Sequence, residues 1–470
     1  MLSATIVMAA GMGTRLKSAV PKVLHRILGR PLVQFPVRLA LDGTDAPVVI
    51  VGGEFLDDLR RAVHADTPTE RIRFALQEQA LGTADAVRAG LAALPPAEDD
   101  TRRGILLLSG DVPCLAPETL ARLAETFERG EDAVFLGFSA EDPTGYGRIL
   151  FDDSGTILGI REEKELEPDD REVDLVNGGI YLVEEKLLRE FIAGVQRSEH
   201  HGEYLLTDVV EYALRLNRGA DVVIVDDPAE LQGVNTRVHL AAVTRRLREL
   251  RNEELMLEGV SIPGPDSVDV DYGVTVGPDT VLEQGVALRG ATRLAGRTVV
   301  GRGTVVVDCT IGPHCHIKPY CVLESSEIHE GCTIGPFAHT RPGTVMEDGA
   351  KLGNFVETKK TRVGPGSKVN HLTYLGDCTV GKKVNVGAGT ITCNYDGINK
   401  HKTVLGDRVS VGSDVQLIAP VTVGDGATLA AGATITGDVP PGALAISRVA
   451  QENIEGYAEK KRKQREGDGG

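Results

Sequence analysis

The sequence predicts two domains of different class: an α/β domain with a mainly parallel sheet over residues 1–235, and a parallel β-helix over 257–470. Two observations carry this reading. Up to residue 235, apolar runs of strand length alternate with amphipathic stretches of helix length, the pattern of a sheet covered by helices. Beyond residue 256, single aliphatic residues recur every six positions. Neither an α-helix, with its period of 3.6, nor a simple strand, with its period of 2, produces that spacing. Glycine agrees with the second domain: 55 of 470 residues, roughly 12% against an average of about 7%.

The elements follow in order. Ala4–Ala10, Pro47–Val51, Gly104–Ser109, Ala133–Phe138 and Ala220–Val225 are short, continuous apolar runs and read as buried strands; Pro117–Phe127 and Glu203–Leu216 read as amphipathic helices. Across 236–256, Leu240, Val243, Leu247 and Leu250 step by three and four between Arg and Glu, which predicts a connecting helix, expected as an exposed arm. Three hexad ladders then run through Val276, Leu282, Leu288 and Leu294; through Val299, Val305, Ile311, Ile317 and Leu323; and through Leu405, Val411, Leu417, Val423, Leu429 and Ile435. Three hexads make one triangular coil with the aliphatic residue inward, and coils repeat at about 4.8 Å. Asn394–Lys400 breaks the register and reads as a loop on one face. The tail, Glu459–Gly470, carries Lys460, Lys461, Arg462, Lys463 and Arg465 and is expected to be disordered.

Charge and cysteine content narrow the function. The chain has 51 basic and 68 acidic residues, a net charge of −17, so its mean field repels nucleic acid. It has no Trp and only 4% aromatic residues, too few for base-stacking platforms. No stretch is long and apolar enough to span a membrane, and the N-terminus shows no charged segment ahead of its apolar run. Seven Cys without a Cys-x-x-Cys pair point to free thiols in a reducing cytoplasm. Cys309, Cys315 and Cys321 step by six onto successive faces, so with His314 and His316 they read as filler, not as a zinc site.

The first strand runs into Ala9-Ala10-Gly11-Met12-Gly13-Thr14-Arg15, with Lys22 shortly after. Glycines at the C-terminal end of a strand let backbone N–H groups approach phosphate oxygens, and Arg15 and Lys22 add positive charge there. Asp111, behind Ser109-Gly110, ends another predicted strand. This set resembles the signature of the sugar-1-phosphate nucleotidylyltransferases, and further pieces agree in order: Gln77 before Leu81-Gly82-Thr83, Tyr146-Gly147-Arg148, Glu162, Asn177 and Gly233-Val234-Asn235. The resemblance implies a Rossmann-like α/β nucleotidyltransferase fold. It implies that Ala9, Ala10, Gly11, Lys22, Ser109 and Gly110 line the UTP site and that Gln77, Gly82 and Thr83 read its base. It assigns the sugar to Gly147, Glu162 and Asn177, and a shared Mg²⁺ to Asp111 and Asn235. The chemistry suits these residues. A sugar phosphate attacks the α-phosphorus, and Arg15 and Lys22 stabilise the leaving pyrophosphate. The nucleophile is already an anion and needs no general base. Three positions depart from the pattern: Met12 where Lys is common, Ala84-Asp85 in place of Gly-His, and Gly178 where Thr is usual.

The β-helix carries its own polar constellation: Arg341-Pro342-Gly343, Asn354 to Lys360, His371 to Asp377, Asn385 to Thr390, Asn394-Tyr395-Asp396-Gly397, Gly412-Ser413-Asp414 and Ala445 to Arg448. Acyl transfer to an amino sugar needs a base for the ammonium, and His371 has the right intrinsic pKa. Glu357 is expected to orient it, Asn394 to donate to the thioester oxyanion, and Arg341 and Lys359 to hold a sugar phosphate. The set resembles the acetyltransferase half of the bifunctional enzymes that make UDP-N-acetylglucosamine. That resemblance spans Ile6 to about Arg448.

It implies a left-handed β-helix of hexapeptide repeats that acetylates glucosamine-1-phosphate with acetyl-CoA, before uridylyl transfer in the first half. Carried over, Arg341, Lys359, Tyr374, Asn385 and Lys400 bind the sugar phosphate, and Ala388, Asn394, Tyr395, Ser413, Ala431 and Arg448 bind acetyl-CoA. It further implies a cytoplasmic homotrimer with the acetyl site between subunits, supplying precursors of peptidoglycan and lipopolysaccharide. The competing reading is a single nucleotidylyltransferase whose β-helix only assembles or regulates, as in ADP-glucose pyrophosphorylases. His371 with Asn394-Tyr395 discriminates, because a purely structural helix has no use for them.

Overall fold

The computed structural model describes residues 2–95 and 101–467. It divides into two compact units, Met1–Glu253 with Val270–Tyr272, and Glu254–Asp269 with Gly273–Gly470.

In the first unit the strands of the main sheet are β1 (Leu2–Met8), β2 (Val48–Gly52), β3 (Ile72–Leu76), β4 (Gly104–Ser109), β5 (Ala133–Ser139), β6 (Arg148–Phe151), β7 (Ile157–Arg161), β8 (Leu175–Glu184) and β9 (Ala220–Ile224). The sheet order is β9-β5-β8-β4-β1-β2-β3, with the β6–β7 hairpin attached to β8. β4, β1, β2 and β3 are parallel neighbours, as are β9 and β5. β8 lies antiparallel between β4 and β5. Every residue of β2 is buried, as a strand covered by helices on both faces requires. Successive residues point to opposite faces. Ile6, Val49, Val51 and Leu107 enter one apolar core, while Val7, Val48, Ile50 and Leu108 enter the other. Four strands of this sheet are missing from the sequence reading, β3, β6, β7 and β8. In β8, the one between two strands that were read, the apolar alternation is interrupted by Gly178-Gly179 and the register shifts between Asn177 and Tyr181.

The main helices are α1 (Gln34–Gly43), α2 (Leu56–Asp66), α3 (Thr83–Ala92), α4 (Pro117–Glu128), α5 (Glu185–Gly194), α6 (Asp208–Arg215) and α7 (Arg237–Leu257). α7 is the predicted connecting helix, but it is not an exposed arm over its first turns. Val243 and Leu247 are buried against Leu16, Ile27, Leu32 and Phe35, which form a small apolar cluster within the first unit. The three- and four-residue stepping that predicted the helix is the same stripe that needs a partner.

The second unit is the left-handed parallel β-helix. One face stacks nine short strands, from Thr275–Val276 to Val421–Val423, and the other two faces merge into an 18-stranded ladder. Leu282, Leu288, Ile311, Ile317, Leu323, Leu405, Val411 and Leu417 point inward and are buried as the hexads predict. Val299 and Val305 are a correction. They are half-buried, and Val300 and Val306 fill the interior instead. Leu288 pairs with Val306 but Leu294 pairs with Ile311, so the coil shortens by one residue after Val306, at the Val307–Cys309 corner, and not before Val299.

On the nine-strand face, Val363 pairs with Val380 but Val380 pairs with Leu405, so one coil is far longer than its neighbours. The extra length is the loop around Asn394–Lys400, closed by an antiparallel bridge between Tyr395 and Lys400. The tail departs from the expected disorder over its described part. Tyr457–Gly467 is a helix (α8), exposed over 457–466, as a run of strong helix formers such as Glu, Lys, Arg and Gln favours. The last three residues of that expectation lie outside the described residues.

Candidate active sites

The first site is a cleft of about 280 Å³ at the C-terminal ends of β1 and β4, the usual ligand position of an open parallel sheet. Met8 to Gly11, Lys22, Gln77, Gly82, Thr83, Ser109 and Asp111 line it. Gly13 turns the chain with φ +67°, and a Cβ there would lie 2.5 Å from the Lys22 Cβ. That glycine therefore seats Lys22 against the loop. The Lys22 ammonium donates to Asp111 Oδ2 and, at 3.2 Å, to Asn235 Oδ1. Arg15 donates to the same Asn235 oxygen at 3.1 Å, and the Ser109 hydroxyl holds the other Asp111 oxygen at 2.5 Å. The Val234 N–H to Asp111 carbonyl bond, 3.0 Å, brings Asn235 to the site from 124 residues away in sequence.

Asp111 Oδ2 and Asn235 Oδ1 thus converge on one cationic position. Two hard oxygens aimed at a common point, beside an open cleft, fit Mg²⁺, which keeps most of its coordination for phosphates and water.

Gly147, Glu162 and Asn177 also come together. The Asn177 N–H donates to the Gly147 carbonyl at 2.9 Å, and a Cβ on Gly147 would lie 3.5 Å from Glu162 Oε2. Burial raises the Glu162 carboxyl above the usual range, partly offset by the Thr207 hydroxyl donating to it at 3.1 Å. The Asn177 amide is committed within the chain, its nitrogen to the Tyr181 hydroxyl at 2.7 Å and its oxygen to the Gly179 N–H at 3.0 Å. The departure at Gly178 has a steric reason here, since a Cβ would sit 2.6 Å from Leu231 Cδ1. The Met12 side chain, the departure in the glycine loop, is 52% exposed. Thr207 and Glu203 went unread in the sequence, because nothing in a lone helix start marks it as facing Glu162.

In the second unit, Asn354 and His371 are register partners on adjacent coils, and His371 Nδ1 lies 2.7 Å from Asn354 Oδ1. An amide oxygen accepts only, so Nδ1 is the donor, and in the neutral ring Nε2 keeps the lone pair. Glu357 does not orient His371, contrary to the sequence expectation. Its register partner is Tyr374, three residues further on, and its carboxylate takes Arg341 Nη1 at 2.8 Å.

Four of the six residues expected to bind acetyl-CoA line up with the histidine, while Asn394 and Tyr395 lie at the inserted loop. Asp414 N–H donates to the Ala388 carbonyl at 2.7 Å, Gly432 N–H to Ser413 at 2.9 Å, and Arg448 Nη1 to Ala431 at 2.9 Å. Asn354, His371, Ala388, Ser413 and Ala431 therefore form one column, a coil apart each time.

Four of the five residues expected to bind the sugar phosphate gather round the corner. Lys400, placed beside Lys359, and then desolvation and Arg341 lower the Lys359 ammonium pKa, so three cations share this corner. Tyr374 and Asn394 crowd Gly376, where a Cβ would lie 2.4 Å from the Tyr374 hydroxyl and 2.7 Å from Asn394 Nδ2. Asn394 donates one N–H to Asp377 Oδ2 at 2.6 Å. His401 holds Asp396 at 2.7 Å and, with backbone N–H groups of Asn399 and Ile398, takes its carboxyl down to about 2, pinning the loop that carries Tyr395 and Lys400. Asn385 is exposed in the coil beyond His371 and Tyr374, apart from the cation cluster.

Comparison with known proteins agrees with this division. Residues 4–227 match the nucleotidyl transferase family, and residues 402–437 match the bacterial transferase hexapeptide family of six repeats. The chain is 46% identical to the bifunctional protein GlmU of Trichlorobacter lovleyi, over 98% of this chain and 99% of that one. It is 45% identical to that of Sorangium cellulosum (96% and 95% covered) and 42% identical to that of Corynebacterium aurimucosum (98% and 94%).

Proposed function

The chain belongs to the bifunctional GlmU family, and on that premise we propose how its two sites divide the work. It is a two-activity transferase. The β-helix acetylates glucosamine-1-phosphate with acetyl-CoA, and the α/β unit couples the resulting N-acetylglucosamine-1-phosphate to UTP, releasing pyrophosphate.

For acetyl transfer, His371 Nε2 takes a proton from the sugar ammonium. The free amine attacks the thioester carbon, and the C–N bond forms as the C–S bond breaks. The thiolate leaves with the proton that His371 returns, and the second proton that the nitrogen sheds as it becomes an amide goes to water. Asn394 has a second N–H for the carbonyl oxygen as it gains charge. Arg341, Lys359 and Lys400 hold the phosphate, with Tyr374 beside them, and Ala388, Ser413, Ala431 and Arg448 run along the column as the acetyl-CoA track. Asn354 replaces Glu357 as the residue that sets the histidine tautomer.

For uridylyl transfer, a phosphate oxygen of the sugar attacks the α-phosphorus, and the bond to the β,γ-pyrophosphate breaks. Lys22 and Arg15 stabilise the charge that leaves. Asp111 and Asn235 are the residues that would hold magnesium, which supplies charge neutralisation between the two phosphates when bound. Lys22, drawn to those same two oxygens, moves onto the phosphates when they arrive. Gly147, Glu162 and Asn177 receive the sugar.

We read the assembly as a homotrimer. Tyr320, Phe337 and Phe355 stack along one corner of the β-helix, with ring centroids 5.5 and 5.3 Å apart, and each is about half exposed. Leu372, next to His371, continues the stripe at 62% exposure. An apolar stripe of this kind on a repeat surface calls for a cover, and a second copy brings its own corner under threefold symmetry. The cytoplasm suits the seven cysteines, all free thiols, and no helix among the described residues is long and apolar enough to cross a membrane.

The observation that carries the acetyl-transfer reading is the Asn354–His371 pair heading its column. Thiol release from acetyl-CoA tests it: release that depends on glucosamine-1-phosphate supports it, and none from folded protein refutes it.

A further inference from the structure

We propose that Asp85 fixes which face of the Gln77 amide the nucleotide base meets, and so selects a base bearing N–H at ring position 3; the proposal rests on the uridylyl-transfer reading. Gln77 is buried just past the end of β3, on the wall of the cleft. Its Nε2 donates to Asp85 Oδ2 at 2.9 Å and to the Gly82 carbonyl at 3.1 Å. An amide nitrogen has two hydrogens, and these two partners use both. A carboxylate and a carbonyl can only accept. Flipping the amide would turn Oε1 against two acceptors and leave three lone-pair groups face to face in a buried place. Oε1 is thereby the polar atom of the Gln77 side chain left for a ligand.

The neighbouring backbone completes the reading head. The Gly82 N–H donates to no protein acceptor among the described residues, and Gly82 also lines the cleft. A fixed acceptor beside a backbone donor complements the O4 and N3–H of uracil. Cytosine presents the reverse pair, an amino donor and a bare ring nitrogen.

Asp85 is itself held from behind. Its other oxygen takes Arg88 Nη1 at 2.7 Å, one turn along α3, and the Arg88 guanidinium lies 4.8 Å from the centroid of the Tyr204 ring. The carboxylate therefore presents one oxygen to Gln77 in a set direction. The bland alternative is an acidic residue in the first turn of a helix, stabilising the helix dipole and nothing else.

Base selectivity separates the two. The full-length protein and its Asp85→Ala and Asp85→Asn variants are assayed for pyrophosphate release with UTP or CTP and N-acetylglucosamine-1-phosphate. Binding of each triphosphate is titrated calorimetrically in parallel, with magnesium present. Freeing the amide to flip loses about one hydrogen bond of discrimination, worth roughly tenfold. The UTP-over-CTP ratio is expected to fall about tenfold in Asp85→Ala, mainly through KM, with Asp85→Asn in between because its Oδ1 still accepts.

A ratio within twofold of the parent in folded Asp85→Ala overturns the proposal, as does a parent that binds CTP as well as UTP. If Asp85→Ala does not fold, Asp85→Asn decides. Absence of pyrophosphate release by the parent would sink the uridylyl-transfer reading instead, while the titrations still report on Asp85.

Discussion

Removing Asn354 tests whether His371 is a prepared base or an exposed side chain that happens to sit in a groove. In Asn354→Ala the imidazole loses its one acceptor at Nδ1, 2.7 Å away. With neutral histidine that bond is worth about 1 kcal/mol; with the imidazolium that is present while the amine attacks, it is charge-assisted and worth about 2 kcal/mol or slightly more. Only the difference, about 1 to 1.4 kcal/mol, acts on the barrier, so kcat for acetyl transfer should fall about fivefold to tenfold. His371→Ala should lose about 10²-fold or more. The double variant should be no worse than His371→Ala alone, because Asn354 acts only through the ring. Asn354→Asp adds a second reading. A carboxylate at Nδ1 favours the imidazolium, so the acidic limb of the pH–rate profile should move to higher pH. The assay is glucosamine-1-phosphate-dependent thiol release. An Asn354→Ala enzyme within twofold of the parent, or a double variant whose losses multiply, would refute the role assigned to Asn354.

Asp111→Ala should abolish pyrophosphate release and leave acetyl transfer within about twofold; loss of both in a folded protein would break the assignment of one activity to each unit. Phe337→Glu places a charge in the middle of the aromatic stack and should convert the oligomer to monomers by light scattering, lowering acetyl transfer more than uridylyl transfer; an unchanged mass removes the stack from the interface. The Asp208 carboxyl is raised to about 6, first by burial and then by Glu165, Glu211 and Glu162. The folded state therefore binds a proton that the unfolded state has released, and stability falls as pH rises from about 4 to about 6. Asp208→Asn should melt about 2 °C higher than the parent at pH 7.5, with the gap closing below about pH 4; a gap independent of pH would contradict the buried-carboxyl account.

How far each part of this molecule was legible depends on the range of the contacts that define it. β4, read as Gly104–Ser109, begins and ends at those residues, because a run of Leu and Ile buried on both faces needs only its own sequence to be recognised. β8 was invisible for the opposite reason. It is held in the sheet by β4 and β5 on either side, while its own Gly178-Gly179 looks like a turn. The hexads were legible as a period, but their phase at Val300 and Val306 was not. A single residue dropped at a corner moves every later side chain to the other face, and the pattern of aliphatics alone, Val at 299, 300, 305, 306 and 307, fits either phase.

The same reasoning explains the one misassigned partner. In sequence terms Glu357 is a natural orienting group for His371, since a carboxylate is the commonest one. In a β-helix, however, a side chain's neighbour is the residue one coil away, and a coil here is 17 residues where Asn354 pairs with His371. Counting back 17 from the histidine lands on Asn354, and counting forward 17 lands on Ala388, on the acetyl-CoA track. The next step fails at 17, because the Asn394–Lys400 loop lengthens that coil, and the column resumes at Ser413 only after 25 residues. A solenoid site is therefore readable from sequence once the coil length is known, except across the insertion that makes it a site.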